Sequence, residues 1–468
     1  MTTLPAAYDE LVSRGEEIAY LNSVTSLLHW DRRTGLPERG HMHRAGQIAA
    51  LTKIRHAKTT DPRWKELLSI VEGSELTKDP ETVTAVNIRE WKRTYERTEN
   101  VPQDLATAIA KASSEAESAW EQARPRDDWD LFKPGLITLV NLKREWADAV
   151  GYETEPYDAF LEDYEQGMTA HLVETLFSTL RKSAVALLDR IKGSSVRPMR
   201  GLGGMSFPIV DQERLARRIA VDMGFDMSSG RLDVSAHPFT TGIGPGDVRI
   251  TTRYSEDDPT SALFGTVHET GHALYHQGLP LEYWGRPFCR PASLGVNESQ
   301  SRMWENMVAR SASFWRAYYP MAGETFPGLK DVSLNDFLLS INEVKPSLIR
   351  VEADEVTYDL HIMLRFELEL DLMRGVIQVD DLPDAWNEKT KSYLGLDVPD
   401  RRSGVMQDVH WSLGAFGYFP TYTLGNVYAA QFFDKARKDI GDLDAMFEKG
   451  EFRPLLGWLR DRIHSQGS

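Results

Sequence analysis

The sequence predicts a mainly α-helical fold with one small β-sheet, placed directly before a helix that carries a His-Glu-x-x-His motif. Apolar residues recur at spacings of three and four along most of the chain, and only the stretch from 231 to 254 has short β-rich segments between Pro and Gly. No linker-like composition and no repeat of fixed period divides the chain. We therefore expect one large domain over residues 1–468, with a helical N-terminal part over about 1–200, the sheet over about 231–254 and the functional helices over 261–425.

The composition and charge indicate a globular protein of a reducing compartment. Asp and Glu number 70 against 54 Lys and Arg, and the resulting net charge of -16 disfavours binding to nucleic acid or to anionic membranes. The single cysteine, Cys289, excludes an internal disulfide framework. The N-terminal residues lack the apolar core of a signal peptide, and no stretch approaches the roughly 20 apolar residues of a membrane span. We expect a cytoplasmic protein with neither a membrane nor a nucleic-acid partner.

The N-terminal part reads as a series of helices. The first runs from Tyr8 to Leu28 and ends near His29-Trp30-Asp31, a turn follows over 32–40, and a second helical pattern covers 45–54. Three further apolar stripes are expected to face the core: Leu105 to Trp120, Leu136 to Trp146, and a stripe capped by Thr169 that comprises Leu172, Leu176, Leu180, Ala184, Leu187 and Ile191.

The middle of the chain changes from helix to strand. A glycine-rich loop is expected over 195–210, followed by a short helix from Asp211 to Met223. Three β-rich segments then predict the small sheet, at 232–235, 239–241 and 248–252. A strand edge beside a metal helix could pair with the backbone of an extended peptide.

Helices return after the metal-motif helix. We expect one from Ser293 to Tyr319, one from Leu334 to Val344, and a long one from Ser347 to about Arg374 after the break at Pro346. The segment 400–425 is rich in Gly, Tyr and Phe, and helical sequence continues to Ile463.

The run His268-Glu269-Thr270-Gly271-His272 carries the chemistry. On a helix over 261–277, with Thr260 or Ser261 as its N-cap, the two histidines lie one turn apart on one face and suit a single zinc ion. Glu269 is then placed to act as general base for a metal-activated water. A pair of structural histidines is the alternative interpretation.

A catalytic zinc site needs one more protein ligand, and a glutamate on the following helix is the expected one. Glu298 lies 26 residues after His272, which leaves room for a loop and the start of an antiparallel helix. Glu282 and Glu305 are alternatives by distance along the chain. His276 continues the histidine face by one more turn, where we expect it to line the mouth of the site and not to bind the metal.

Beyond the zinc motif, the chain resembles the carboxypeptidase Taq family of metallocarboxypeptidases. Residues 247–251 resemble its Asp-x-Arg-x-Thr motif, residues 349–354 its Ile-Arg-x-x-Ala-Asp motif, and residues 404–411 its Gly-x-x-Gln-Asp-x-His-Trp motif. Residues 297–300 resemble its His-Glu-Ser-Gln motif, with Asn297 in place of the histidine. His276 stands where the family has a glutamate.

This resemblance implies a mostly helical, saddle-like peptidase with a deep substrate groove, commonly assembled as a homodimer. It implies release of single residues from peptides with a free C-terminus and broad side-chain tolerance. Zinc is the implied metal, with cobalt able to substitute, and Glu298 is the implied third ligand beside His268 and His272.

Hydrolysis also needs donors for the tetrahedral oxyanion. His410, Tyr418 and Tyr422 lie in one glycine-containing segment and are the candidates, and ordinary packing of aromatic residues is the alternative. An enzyme acting at C-termini further needs a fixed cation for the terminal carboxylate, which the planar fork of arginine suits.

Arg350 and Arg249 are the predicted carboxylate-binding residues. Arg350 could instead form a salt bridge with Asp354, and Arg249 could hold a loop through Asp247. The metal motif alone does not decide where a peptide is cut. A zinc endopeptidase, a dipeptidyl carboxypeptidase and a non-catalytic peptide-binding protein therefore remain alternatives.

Overall fold

Helices form most of the structure, a computed structural model that describes residues 3–198, 202 and 205–467. The mainly α-helical prediction is confirmed. The N-terminal part consists of α1 (Leu4–Thr34), α2 (His41–Thr59), α3 (Arg63–Val71), α4 (Val83–Glu99), α5 (Gln103–Arg126), α6 (Trp129–Val150), α7 (Pro156–Leu161) and α8 (Ala170–Lys192).

The first helix is longer than the sequence predicted. α1 continues through His29-Trp30-Asp31 to Thr34 and ends at Gly35, whose N–H bonds to the carbonyl of Asp31. Its buried residues, Ala7, Leu11 and Gly15, all lie in its first half. The second half contributes no buried residue, so its polar residues do not interrupt the helix. The loss of the apolar pattern therefore predicted the end of the helix too early. α2 likewise extends beyond the predicted range and buries none of its side chains.

The predicted cap of α8 is confirmed, but part of its predicted core stripe is wrong. The Thr169 hydroxyl accepts a hydrogen bond from the Leu172 N–H at 3.3 Å. Leu172 and Leu187, however, are 53% and 41% exposed. α8 faces the core through Val173 and Phe177 instead, and the Phe177 ring lies 5.2 Å from that of Phe366. The stripe is therefore rotated by about one position.

The predicted small sheet is confirmed and follows α9 (Ile209–Met223). Its strands are β1 (Gly230–Val234), β2 (Thr240–Gly244) and β3 (Asp247–Thr252), in the order β1-β3-β2. β1 runs parallel to β3, and β2 runs antiparallel to it as an edge strand. The predicted glycine-rich loop lies partly outside the described residues.

The metal-motif helix, α10 (Pro259–Gly278), begins earlier than predicted. Its N-cap is Asp258, whose carboxylate accepts the Thr260 N–H at 2.9 Å, so neither Thr260 nor Ser261 is the cap. Pro259 occupies the first helical position, where its missing N–H costs nothing.

The C-terminal half is helical, with three boundaries that differ from the prediction, the smallest difference being the end of α13 at Ile341 and not at Val344. Its helices are α11 (Leu294–Arg302), α12 (Ala312–Thr325), α13 (Leu334–Ile341), α14 (Glu355–Arg374), α15 (Leu382–Leu394), α16 (Pro420–Ile440), α17 (Leu443–Phe447) and α18 (Arg453–Arg462). α11 continues into a π-helical turn, Met303–Ala309, and the chain then breaks so that Ser311 caps α12. The single helix predicted over 293–319 is thus divided.

The start of α14 also differs. The predicted start at Ser347 is wrong, because Asp354 caps the helix by accepting the N–H groups of Val356 and Thr357 at 3.0 Å each. A short 3-10 turn, Arg350–Glu352, precedes it. α14 is buried on nearly all sides and contributes Leu360 and Phe366 to a core shared with α5 to α8 and α15. A second core joins α10 to the sheet, α9, α12 and α16 to α18.

We predict that Thr169→Ala destabilises the protein by about 1 kcal/mol, because the first turn of α8 loses its side-chain cap. The measurement is the midpoint of urea unfolding. Thr169→Ser keeps the hydroxyl and serves as the control. Equal midpoints for the alanine variant and the wild type would show that the cap contributes nothing.

Candidate active site

Three side chains from two crossing helices, α10 and α11, come together in one cluster. The ligand atoms of His268, His272 and Glu298 all lie within 4.8 Å of one another. The Nε2 atoms of His268 and His272 face Glu298 Oε2 at 3.8 and 3.4 Å. Two imidazole nitrogens and one carboxylate oxygen are the donor set of many catalytic zinc sites. The arrangement fits a divalent metal ion.

The close crossing of α10 and α11 depends on Gly271. A Cβ atom at this position would lie 2.6 Å from the carbonyl oxygen of Gln300 and 2.6 Å from the Cα of Ser301. Only glycine lets the two backbones approach this closely. The glycine between Glu269 and His272 is therefore what brings α11, and Glu298 with it, to the histidine face of α10.

Glu298 is held from its other side by α16. A Cβ at Gly425 would lie 2.7 Å from Glu298 Cγ and 3.2 Å from the carbonyl oxygen of Gly295. The Ser301 hydroxyl donates to Glu298 Oε2 at 3.1 Å. The carboxylate is thus confined between α10 and α16, with little freedom to turn away from the histidines.

The negative potential at the site favours a cation. Burial opposes ionisation of Glu298, but the charges of His268 and His272 nevertheless lower its pKa. Burial likewise would lower the pKa of His268, yet the carboxylates of Glu298 and Glu305 raise it to about 9. The protonated, positively charged form of His268 is thus favoured. A metal ion bound in place of that proton would supply positive charge to the same carboxylates.

Glu305 orients the first histidine. Its Oε2 lies 2.9 Å from His268 Nδ1, the ring nitrogen that faces away from Glu298. A carboxylate on this nitrogen fixes the tautomer and ring orientation of a metal-binding histidine. Burial would raise the pKa of Glu305, but the charge of Arg302 and the hydrogen bond with His268, and to a smaller extent Arg310, keep it well below its usual range. The sequence analysis considered Glu305 as an alternative third metal ligand. In the structure it contacts the far side of the His268 ring and is not part of the three-residue cluster.

A chain of polar contacts continues from Glu305 to α14 and α16. Arg302 donates to Glu305 at 3.3 Å and to Asn426 Oδ1 at 2.8 Å. Asn426 in turn donates to Asp359 at 2.7 Å, and Thr423 donates to the same oxygen at 2.8 Å. The orientation of His268 is therefore linked to three helices.

Glu269 is placed by the edge strand. The Thr240 hydroxyl lies 2.6 Å from Glu269 Oε2 and 2.9 Å from the backbone carbonyl of the same residue. Glu269 is only 6% exposed. Since Thr240 engages one carboxylate oxygen, the other remains for a proton.

The three predicted oxyanion donors come together. The ring of His410 lies 5.3 Å from that of Tyr418 and 6.4 Å from that of Tyr422, and the two tyrosine rings are 5.5 Å apart. Burial, and to a smaller extent the charge of Glu298, raises the pKa of Tyr418. Tyr422 lies on α16, the helix that packs against Glu298, so the aromatic cluster lies beside the cluster of His268, His272 and Glu298.

The segment that carries this cluster is anchored by buried Glu369. This carboxylate accepts hydrogen bonds from Trp411 Nε1 at 2.8 Å and from the Gly417 N–H at 2.9 Å. Tyr157 donates to it at 2.6 Å, and burial raises the pKa of Glu369 to about 7. Both ends of the turn between His410 and Tyr418 are thereby fixed.

Arg350 lies beside the aromatic cluster, with its guanidinium 5.2 Å from the centre of the Tyr422 ring. It is 5% exposed and pairs with Asp408, to which Nε and one terminal nitrogen donate at 3.0 and 2.8 Å. The other terminal nitrogen donates to the Tyr358 hydroxyl at 3.0 Å. The salt bridge considered with Asp354 is not the one that forms, since Asp354 caps α14.

Arg249 makes its contacts elsewhere. It forms a bidentate pair with Asp247, at 2.7 Å for both hydrogen bonds, and lies 4.4 Å over the Trp30 ring of α1. The sequence analysis gave this pairing with Asp247, which would hold a loop, as the alternative role of Arg249. Its surroundings are the sheet and α1, not His410 and its neighbours.

His276 and Glu282 do not join the three-ligand cluster. His276 packs against β2, where a Cβ at Gly242 would lie 3.0 Å from its Nδ1, and burial lowers its pKa to about 4. Glu282 lies in an exposed 3-10 turn after α10.

Several residues important for the site were not assigned from the sequence. Glu305 follows Glu298 by seven residues, a spacing that places both on one helical face and could have revealed it. Glu165 had no such signal. It accepts hydrogen bonds from the Ser293 hydroxyl at 2.8 Å and the Gly295 N–H at 3.0 Å, and so fixes the start of α11.

Comparison with known proteins identifies the family. The model of the carboxypeptidase Taq (M32) metallopeptidases matches residues 10–468. The chain belongs to this family. The resemblance predicted from the four motifs is confirmed, and membership identifies the chain as a metallocarboxypeptidase rather than a non-catalytic peptide-binding protein.

Relatives of this M32 metallocarboxypeptidase match over nearly its full length. Thermostable carboxypeptidase 1 of Thermus thermophilus is 52% identical over 476 residues, covering 100% of this chain and 93% of the relative. Carboxypeptidase 1 of Bacillus subtilis is 40% identical over 456 residues, covering 97% and 90%. The crystal structure of an M32 carboxypeptidase from Deinococcus radiodurans R1 has a TM-score of 0.95 at 37% identity, covering 99% of this chain and 93% of that one.

No helix among the described residues of the M32 metallocarboxypeptidase is both long and apolar enough to span a membrane. Family membership and the His268-His272-Glu298 cluster together imply a divalent metal ion.

We predict that Gly425→Ala lowers zinc affinity by about 10- to 100-fold, the range for a change in the groups that orient a metal ligand, because the new methyl group displaces Glu298. Competition titration of the metal-free protein with zinc measures this directly. Gly457→Ala, in α18 with open space around the new Cβ, is the matched control. Unchanged zinc affinity in Gly425→Ala would mean that α16 does not confine the ligand.

Proposed function

We propose that this chain releases single amino acids from the C-terminus of peptides, with broad side-chain tolerance, and that zinc is its metal, with cobalt able to substitute. The observation that supports this proposal most directly is the cluster of His268, His272 and Glu298 beside the buried carboxylate of Glu269. We propose these three residues as the metal ligands. A bound zinc ion would polarise the scissile carbonyl and lower the pKa of the attacking water.

Glu269 is proposed as the general base. Its free carboxylate oxygen takes the proton of the attacking water and later delivers it to the nitrogen of the leaving amino acid. The Thr240 hydroxyl, at 2.6 Å from the other oxygen, keeps the carboxylate oriented during both transfers. The burial of Glu269 excludes bulk water from these steps.

His410, Tyr418 and Tyr422 are proposed to stabilise the oxyanion. Burial lowers the pKa of His410 to about 4, so its imidazole is neutral near pH 7 and donates through an N–H. Burial raises the pKa values of both tyrosines, so their hydroxyl groups keep their protons and remain donors. All three groups can thus donate hydrogen bonds to a developing negative charge.

Arg350 is the favoured ligand for the terminal carboxylate of the peptide. A guanidinium has five N–H donors, and the three hydrogen bonds to Asp408 and Tyr358 leave one donor on each terminal nitrogen. Two donors on neighbouring nitrogens suit a bidentate carboxylate. Arg249 remains the second candidate, although its bidentate pair with Asp247 makes it less available.

We also propose that the chain acts as a single peptidase domain over residues 1–468 and works in the cytoplasm as a homodimer. The family match over residues 10–468 supports a single domain. The buried free thiol of Cys289 suits a reducing compartment, and the negative net charge argues against nucleic-acid or membrane partners.

We predict that Glu269→Gln lowers kcat by about 10²- to 10⁴-fold, because the amide cannot accept the proton of the attacking water. Release of the C-terminal amino acid from a short peptide gives the rate, and metal analysis should show unchanged zinc content. Glu282→Gln, which removes an exposed carboxylate near the same helix, is the matched control. Hydrolysis at the wild-type rate by a contaminant-free Glu269→Gln preparation would remove Glu269 as the base.

We predict that a peptide with a free C-terminus is cleaved far faster than its C-terminal amide, and that Arg350→Gln removes most of this discrimination. Loss of a hydrogen-bonded charge contact of about 1.5–3 kcal/mol corresponds to roughly 10- to 150-fold in the ratio of the two kcat/KM values. Arg249→Gln tests the second candidate in the same assay. Equal cleavage of acid and amide by the wild type would indicate an endopeptidase, and release of dipeptides would indicate a dipeptidyl carboxypeptidase.

A further inference from the structure

A cavity of about 230 Å³ lies next to the metal helix and outside the catalytic cluster. Its walls are α1, strand β2, the C-terminal end of α10 and the segment 279–291 that follows it. We call it the α1 cavity. His276 of α10 and Gly242 of β2 form the wall closest to the metal ligands, and Asn22 and Ser23 of α1 face them.

The α1 cavity continues the line of the catalytic residues. His276 follows His272 by four residues, so it lies one turn further along the same face of α10. On the strand, Gly242 follows Thr240, the residue that contacts Glu269, by two residues. The cavity is therefore reached by moving along β2 and α10 away from Glu269.

The proposed carboxylate-binding residue approaches the metal ligands from other elements. Arg350 contacts Asp408 and lies near Tyr422 of α16, the helix that packs against Glu298. Suppose that the terminal carboxylate of a peptide lies at Arg350 and its scissile bond lies at Glu269. The residues upstream of that bond then extend along β2. Those residues lead toward the α1 cavity.

The lining of the α1 cavity is positively charged. Arg286 and Arg290 line it, and none of its lining residues is an aspartate or glutamate. The nearest carboxylate to Arg286 is that of Glu16, at a long 3.8 Å, and the buried Nε of Arg286 has no hydrogen-bond partner among the described residues. Over the described ranges, Arg290 forms no ion pair within 4.0 Å.

We propose that the α1 cavity is a substrate subsite that selects an aspartate or glutamate side chain upstream of the scissile bond. The proposal rests on the proposed function, because it uses the direction of the peptide set by Arg350. Guanidinium groups whose nearest carboxylates lie beyond hydrogen-bonding distance can bind a further carboxylate through paired N–H donors. The preference is local, because the net charge of -16 on the whole chain would repel an acidic peptide.

The test uses the zinc-loaded full-length enzyme and neutral alanine-based hexapeptides with a free C-terminus. Glu or Gln is placed at each of the three positions upstream of the scissile bond, and in a fourth pair at the C-terminal residue. The readout is the Glu/Gln ratio of kcat/KM at each position. In Arg290→Gln and Arg286→Gln we expect this ratio to fall by about two- to fivefold at one upstream position, the range of a partly exposed ion pair.

Arg217→Gln is the matched control, because it removes the same charge from an exposed position on α9 and should leave every ratio unchanged. Arg290 is itself exposed, so its variant keeps the test valid if Arg286→Gln fails to fold. Wild-type ratios at all three upstream positions in both variants, or a change only at the C-terminal residue, would overturn the subsite. Failure to release C-terminal residues from the neutral parent peptide would instead overturn the proposed function.

Discussion

The close approach of α11 to α10 is the constraint on which the site depends. Two histidines four residues apart define only one side of a metal site, and the proposed third ligand, Glu298, lies on a helix whose backbone is in close contact with that of α10. Gly271 permits that approach, and Gly425 permits a third helix to close on Glu298 from behind. Because a β-carbon at either glycine would displace Glu298 or its backbone, the geometry of the His268-His272-Glu298 cluster is determined mainly by helix packing.

This packing buries charges, and the structure balances them in local groups. Glu305 lies between Arg302 and Arg310 behind His268, and Asp408 lies between Arg350 and Arg365, with Arg365 bonding to the second carboxylate oxygen. An unpaired buried charge would cost several kcal/mol, so each carboxylate needs its arginines. The consequence is functional as well as structural. The same residues that compensate buried charge also fix the orientation of His268 and present the two remaining donors of Arg350.

Much of this arrangement follows from local sequence rules. The helix that carries the His-Glu-x-x-His motif, the sheet before it and the Thr169 cap were predictable because each depends on residues close together in the chain. The rotated stripe of α8 was not, because which face of a helix is buried depends on the helices that pack against it. Arg350 was considered with Asp354, four residues away, but its partner Asp408 lies 58 residues further along. The roles of Glu165 and Glu369 likewise exist only through contacts across more than 40 residues.

The two walls of the site differ in how firmly they are held. α10 and α11 pack backbone against backbone at Gly271, and α16 packs against the Glu298 side chain at Gly425, whereas the second half of α1 buries none of its residues. That half of α1 rests on the sheet through Trp30, which lies under Arg231 and Arg249, and through Arg33 over Phe239. Cation–π contacts contribute about 0.5–1 kcal/mol at exposed sites and about 2 kcal/mol where they are desolvated, and the Arg249 side chain is only 15% exposed, so these contacts hold α1 on the sheet. The proposed selection of an acidic side chain depends on the opposite wall of the α1 cavity, where the segment that carries Arg286 is held by the buried residues Pro287 and Cys289.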